Sequence, residues 1–163
     1  MAREPFEAFV AARLPALLRY ARVLTPSTAD AEDLVQEALA RVGAAWWRVR
    51  SRDDPEGYVR RTMLRLAINA GRRRREVSVA DVPERAAADP GFGRVDDGEQ
   101  LGRLVDGLPA GMRAVLVLRY LDGLDDDAIA AVLGCSRGTV RSQASRALAR
   151  LRNRPAEVAD GPD

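Results

Sequence analysis

The sequence predicts an all-α chain: two small helical domains joined by a flexible linker, with a helix-turn-helix in the second. Three observations carry this. Apolar residues recur at helical spacing from Phe6 to Arg75 and again from Asp97. Between those stretches, Pro83, Pro90, Gly91 and Gly93 interrupt a segment without periodicity. The composition is 47% apolar but only 5% aromatic, and rich in Ala, Leu and Val, a balance that suits helices better than sheets. The expected boundaries are a first domain over 1–75, a linker over 76–96, a second domain over 97–153 and a disordered tail over 154–163.

Composition also removes classes of function. A single cysteine, Cys135, excludes an internal disulfide and any cysteine-based zinc site. The absence of histidine removes a His base, a His metal ligand and a Ser-His triad. No metal and no cofactor are expected. The N-terminal stretch lacks a continuous apolar run, so neither a signal peptide nor membrane insertion is expected, and the default is a cytoplasmic protein. All 26 basic residues are arginine, but the net charge is only +2. Where the arginines cluster therefore matters more than their total.

Residues 6–24 place Phe6, Phe9, Val10, Leu14, Leu17, Leu18, Ala21 and Leu24 on one helical stripe, which Pro15 should kink or divide. After the break at Thr25-Pro26-Ser27, a second helix is expected from Thr28 to Arg50. Its first turns carry Asp30, Glu32 and Asp33, where carboxylates suit the helix dipole. Leu34, Leu39, Val42, Trp46 and Val49 form its core face, and Asp30, Asp33 and Glu37 an acidic strip on another.

A third helix is expected from Pro55 to Arg75, because Pro and Glu suit a first turn. Val59, Met63, Leu66 and Ala70 supply its apolar face. Opposite them, Arg61, Arg65, Asn69 and Arg72 line up and lead into Arg72-Arg73-Arg74-Arg75. Such a run can be a mere solvated helix end; the full stripe leading into it points instead to a phosphate-binding face. The linker of about 21 residues would reach at most roughly 70 Å extended, enough for about 20 base pairs of duplex. As a random coil its ends would average about 25 Å apart.

From Asp97, Leu101, Leu104, Val105 and Leu108 are again periodic. Pro109 opens a helix carrying Met112, Val115, Leu116 and Leu118 through Leu121, and Gly123 ends it. Residues 124–150 then read LDDDAIAAVLGCSRGTVRSQASRALAR. Ile129, Ala130 and Leu133 share one face before Gly134-Cys135-Ser136. Val140, Ala144, Ala147 and Leu148 share one after it. Gly134 can end the first helix in the left-handed conformation and Ser136 can cap the second. That is helix-turn-helix spacing. In the DNA-binding version, the N-terminal half of the second helix enters the major groove, where Arg can bond guanine and Gln adenine. Arg137, Arg141, Gln143 and Arg146 are the residue types available. The plain alternative is a helical hairpin with a solvated arginine face.

Three stretches in order make the pattern specific: Asp30-Ala31-Glu32-Asp33-Leu34-Val35-Gln36-Glu37, Pro55 to Arg61 leading through Asn69 to the arginine run, and Leu108 to Arg113 with Gly138-Thr139-Val140-Arg141-Ser142. Over about residues 5–152 the chain resembles bacterial sigma factors of the small, two-domain extracytoplasmic-function group of the sigma-70 family, most of all the actinobacterial sigma-E-like sub-group. The resemblance implies core RNA polymerase and promoter DNA as partners, and leaves open whether an anti-sigma protein is a third. Asp30, Asp33, Gln36 and Glu37 would then face the polymerase. The Arg50–Glu56 loop, with Asp53 and Asp54, would capture a flipped base of the −10 element, and the Arg61, Arg65, Asn69, Arg72 and Arg73 face would read it. Opening DNA needs a stacking surface for extruded bases, for which Trp46, Trp47 and Tyr58 are candidates, with at least one Trp expected in the core. The second helix of the helix-turn-helix would read the −35 element through Arg137, Thr139, Arg141, Ser142, Gln143, Ser145 and Arg146. Gln143 departs from the family, in which many members carry Arg there.

Two other classes compete. A self-sufficient helix-turn-helix regulator would use the same motif but needs a ligand pocket or receiver domain, where residues 1–75 carry the basic stripe. An enzyme would rest on acidic clusters such as Asp125-Asp126-Asp127. Adjacent acids at a helix start are usually caps, and no histidine is present to serve as partner.

Overall fold

The structure, a computed structural model, describes residues 3–77 and 97–154. Its helices are α1 Phe6–Leu24, α2 Thr28–Ala44, α3 Trp46–Val49, α4 Pro55–Val77, α5 Asp97–Val105, α6 Ala110–Leu116, α7 Asp126–Leu133 and α8 Arg137–Arg152. A π-helical turn over Val117–Leu121 extends α6. No strand occurs among the described residues. Most of the expected linker, 78–96, and the tail beyond Arg154 lie outside the described residues.

α1 runs through Pro15 without a break. A proline costs a helix interior about 3 kcal/mol. Here it sits on the exposed side, while Phe9, Leu17, Tyr20, Ala21, Val23 and Leu24 bury the other side. That burial outweighs the lost hydrogen bond.

The expected helix from Thr28 to Arg50 is two helices. Ala45, at φ −119° and ψ 22°, ends α2 and re-aims the chain. Trp46 still turns inward, as its place on the expected core face predicts, tilted against Phe6 and Phe9 at 5.5 and 4.7 Å between ring centroids. Its indole N–H donates to the Glu4 carbonyl at 3.0 Å.

The second half follows its capping residues. Asp125 accepts from Ala128 N at 2.8 Å and starts α7. Gly134, at φ +67°, ends it in the left-handed region open to glycine. Ser136 accepts from Thr139 N at 3.1 Å and starts α8. Ile129, Val140, Ala144 and Ala147 are buried between the two helices and α6.

The two halves pack directly on each other, α1 against α5 and α4 against α6. Their apolar residues, Leu17 and Leu64 from one side and Val105, Leu108 and Leu116 from the other, form one core cluster. Two details allow the close fit. Gly71 of α4 lies so near α6 that a Cβ there would stand 2.8 Å from the Ala110 Cβ. Arg113 of α6 donates to the Leu24 carbonyl at the end of α1, 2.9 Å away, satisfying a helix-terminal acceptor. This packing also explains two misplaced core residues. α4 is covered from two sides, so Leu64 is buried and Ala70 is left exposed. On α5, Val105 is buried and Leu104 exposed. Arg154, expected to belong to the tail, donates to the carbonyls of Leu104 (2.9 Å) and Asp106 and caps the C-terminal end of α5.

Candidate nucleic-acid interface

The acidic strip on α2 divides in the folded chain. Ser27 caps the helix, its hydroxyl accepting from Asp30 N at 3.1 Å and donating to the Asp30 carboxylate at 2.7 Å. Asp30 is thus tied into the helix start. Asp33, Gln36 and Glu37 are exposed. Glu37 pairs with Arg41 at 3.0 Å, one turn on, with both side chains more than half exposed. Such a surface pair contributes about 0.3–0.5 kcal/mol and yields readily to another partner.

Next comes the loop before α4. Asp54 accepts from Gly57 N at 2.9 Å, which makes it the cap of α4. Asp53 is exposed and open to a ligand. Arg52 stacks over the Tyr58 ring at 4.6 Å. Tyr58 in turn lines a groove of about 320 Å³ between α2 and α4, whose polar wall is Arg41, Thr62, Arg65 and Asn69. A half-buried aromatic face among arginine and amide donors is the chemistry that holds a stacked base beside its phosphate. The two tryptophans separate: Trp46 is 8% exposed and Trp47 65%. Trp47 carries the Arg48 guanidinium over its ring at 5.3 Å.

The arginine stripe of α4 also divides. Arg65, Asn69, Arg72 and Arg73 are exposed. Arg61 instead lines a cavity of about 370 Å³ between the halves, with Arg60, Leu118, Asp122 and Leu124. Its neighbour Arg60 bridges Glu56 at 2.8 Å and Asp122 at 3.4 Å.

On α8, Arg137, Thr139, Arg141, Ser142, Ser145 and Arg146 are exposed, while Val140 and Ala144 are buried. Gln143 differs from the rest of the expected set. It follows Val140 by three positions, shares the inward side of the helix, and lies half-buried over Gly111 of α6. Two of the arginines are held by acids at the start of α7. Arg141 Nε donates to Asp126 Oδ2 at 3.3 Å, and Arg137 Nε lies 3.8 Å from Asp127. Asp126 also accepts from Arg119 through its other oxygen. The hydrogen bond from Arg119, joined by that from Arg141, holds the Asp126 carboxyl below the usual carboxylate range.

In sequence, Asp126 stands out only as a helix-start acid, and Arg119, Arg60 and Asp122 not at all. Arg60 and Glu56 are one turn apart on α4, but Asp122 pairs with residues 62 and 102 positions away, and Arg119 and Asp126 lie on different helices, where local spacing gives no signal. Among the described residues, no group of three or more His, Cys, Asp or Glu is placed to hold a metal. No helix among them is long and apolar enough to cross a membrane.

Comparison with known families decides the identity of the two halves. Residues 9–77 match Sigma-70 region 2 and residues 98–151 match Sigma-70 region 4. The chain belongs to the sigma-70 family. Its relatives include the RNA polymerase sigma-E factor of Streptomyces coelicolor, 38% identical over 149 residues, 90% of this chain and 84% of that protein. The sigma-E factor of Streptomyces antibioticus is 36% identical over 149 residues, with 90% and 82% covered. A solved structure of the sigma factor RpoE in complex with the anti-sigma factor NepR, from Bartonella quintana, superposes with a TM-score of 0.66 at 28% identity, over 90% of this chain and 94% of that one. A sigma-70 region 2 thus fills the half where a self-sufficient regulator would need a ligand pocket or receiver domain, and the protein is read as an RNA polymerase sigma factor.

Proposed function

We propose that this sigma factor brings core RNA polymerase to promoters through three surfaces carried in order along the chain. Asp33, Gln36 and Glu37 on α2 dock on the polymerase, with Asp30 shaping the helix start beneath them. The Tyr58 groove, Asp53, Trp47 and the arginines of α4 hold the −10 element and its melted strand. The outer face of α8 reads the −35 element. On this reading residues 1–75 and 97–153 are the two functional units, and the segment between them spans the promoter.

The observation that supports it best is the solvent exposure of all three surfaces on helices that match regions 2 and 4. The packed arrangement adds a consequence. Arg61 is turned into the junction between the halves, and the net charge is only +2, so the free protein attracts DNA weakly. Docking on polymerase would then supply the spacing the readers need and remove that ordering cost from DNA binding. A regulatory anti-sigma partner fits the same scheme, since RpoE, a structural relative, was solved bound to NepR.

A promoter-binding titration with and without core polymerase tests this. Wild-type protein alone should bind weakly, and polymerase should confer tight, sequence-specific binding. Asp33→Arg should abolish the polymerase-dependent part and transcription without unfolding the protein, because Asp33 is exposed. Tight specific binding by the wild-type protein alone would instead favour a self-sufficient repressor or activator.

A further inference from the structure

Arg141 is 62% exposed, yet its guanidinium is not free to wander. Its Nε edge is bonded to Asp126 Oδ2 at 3.3 Å. Asp126, whose side chain is only 21% exposed, is bonded through Oδ1 to Arg119 on the π-helical turn. Arg119 is itself mostly covered, at 27%. One carboxylate therefore joins an inner arginine, held by the packed end of α6, to an outer arginine on the second turn of α8. The Nε edge is engaged in that bond, while the two Nη groups carry the donors that match O6 and N7 of guanine. Asp127 and Arg137 contrast with this: they are 3.8 Å apart, 76% and 56% exposed, with no inner anchor.

We propose that Asp126, anchored by Arg119, is a specificity-determining positioning residue for Arg141. It fixes the long side chain before DNA arrives, so that less rotamer freedom is given up when the base is met. It also places a negative charge beside the reading helix, which disfavours loose phosphate contacts made without the correct base. The inference rests on the reading of α8 as the −35 reader.

The two roles give opposite signatures on removal of the charge. Consider run-off transcription by the reconstituted holoenzyme on templates randomised through the −35 element. Arg141→Ala should flatten the preference at one base pair. Asp126→Asn should weaken preference at that same pair by about three- to tenfold and leave the other positions unchanged. Arg119→Gln, which leaves Asp126 and Arg141 in place, should reproduce the effect in milder form. Asp126→Asn should also raise the affinity of the full-length protein for a non-specific duplex and steepen its salt dependence, because the exposed Arg141 is freed for phosphates. A merely structural role would lower affinity and flatten every position together. In the combined Asp126→Asn, Arg141→Ala chain, the loss should equal that of Arg141→Ala alone. Additive losses, or an Asp126→Asn profile identical to wild type while Arg141→Ala is flattened, would overturn the positioning role and leave the reading of α8 standing. An Arg141→Ala profile identical to wild type would remove Arg141 from the reader and this proposal with it.

Discussion

The phenolic hydroxyl of Tyr20 on α1 donates to Asp122 Oδ2 at 2.9 Å, joining residues 102 positions apart. Arg60 of α4 completes the contact: its guanidinium lies 5.1 Å over the Tyr20 ring and 3.4 Å from Asp122 Oδ1. Region 2 and region 4 thus meet at a polar cluster as well as through their shared apolar core. Burial pushes the Tyr20 hydroxyl well above its usual range, so it stays a donor at any working pH.

The Asp122 carboxyl makes this contact pH-dependent. Burial raises its pKa above the ordinary 3.8 and outweighs the opposing pull of the Tyr20 hydrogen bond and the Arg60 charge. The folded protein therefore holds this proton more tightly than the unfolded chain. That contribution is present below the unfolded value and is lost as pH rises through the raised folded value. Asp122→Asn keeps an acceptor for Tyr20 and does not ionise. Urea unfolding across the acidic range should show the Asn variant gaining on wild type as pH rises. If the variant instead falls steadily behind, the ion pair with Arg60 outweighs the cost of burial.

Gly71 should be intolerant of any side chain. A Cβ would stand 2.8 Å from the Ala110 Cβ, and overpacking of this kind costs about 1–3 kcal/mol. Better helix propensity would return up to about 1 kcal/mol of that. Gly71→Ala should therefore lower the unfolding midpoint and enlarge the radius of gyration seen by small-angle scattering. Adding Ala110→Gly should restore both. A Gly71→Ala protein with unchanged stability and size would show that α4 and α6 do not cross there.

Arg65 and Arg72 should govern engagement of the −10 element. Both are exposed, whereas Arg61 faces the junction. Replacing the pair with Ala should reduce permanganate reactivity of the melted region. The slope of log affinity against log salt should become shallower by about 0.7–0.9 for each phosphate that the variant no longer neutralises. Arg61→Ala alone should have a smaller effect on the free protein. Melting that stays at wild-type level across salt in the Arg65/Arg72 variant would remove this face from promoter opening.

Most of the helices and several of their caps were legible in the sequence. Those features are set by residues within a turn or two of each other. Ser27, Asp125, Gly134 and Ser136 act on amides three residues away or on their own φ. The alternation of Val140, Ala144 and Ala147 with Arg141, Ser145 and Arg146 fixes which side of α8 can be buried. Local spacing failed where one residue redirected the chain or where burial came from a distant element. Ala45 breaks the expected Thr28–Arg50 helix, yet Trp46 is buried with Val42 and Val49, as their shared spacing predicts, and Trp47 stays in water. Gln143 follows the buried Val140 by three positions and so shares its inward side, while the surface it rests on, Gly111, is supplied by α6. The junction of the halves, with Tyr20 on Asp122 and Gly71 against Ala110, was decided by the tertiary structure alone. Its partners are drawn from different halves of the chain, and their meeting depends on the apolar area the two halves bury together, which no local pattern records.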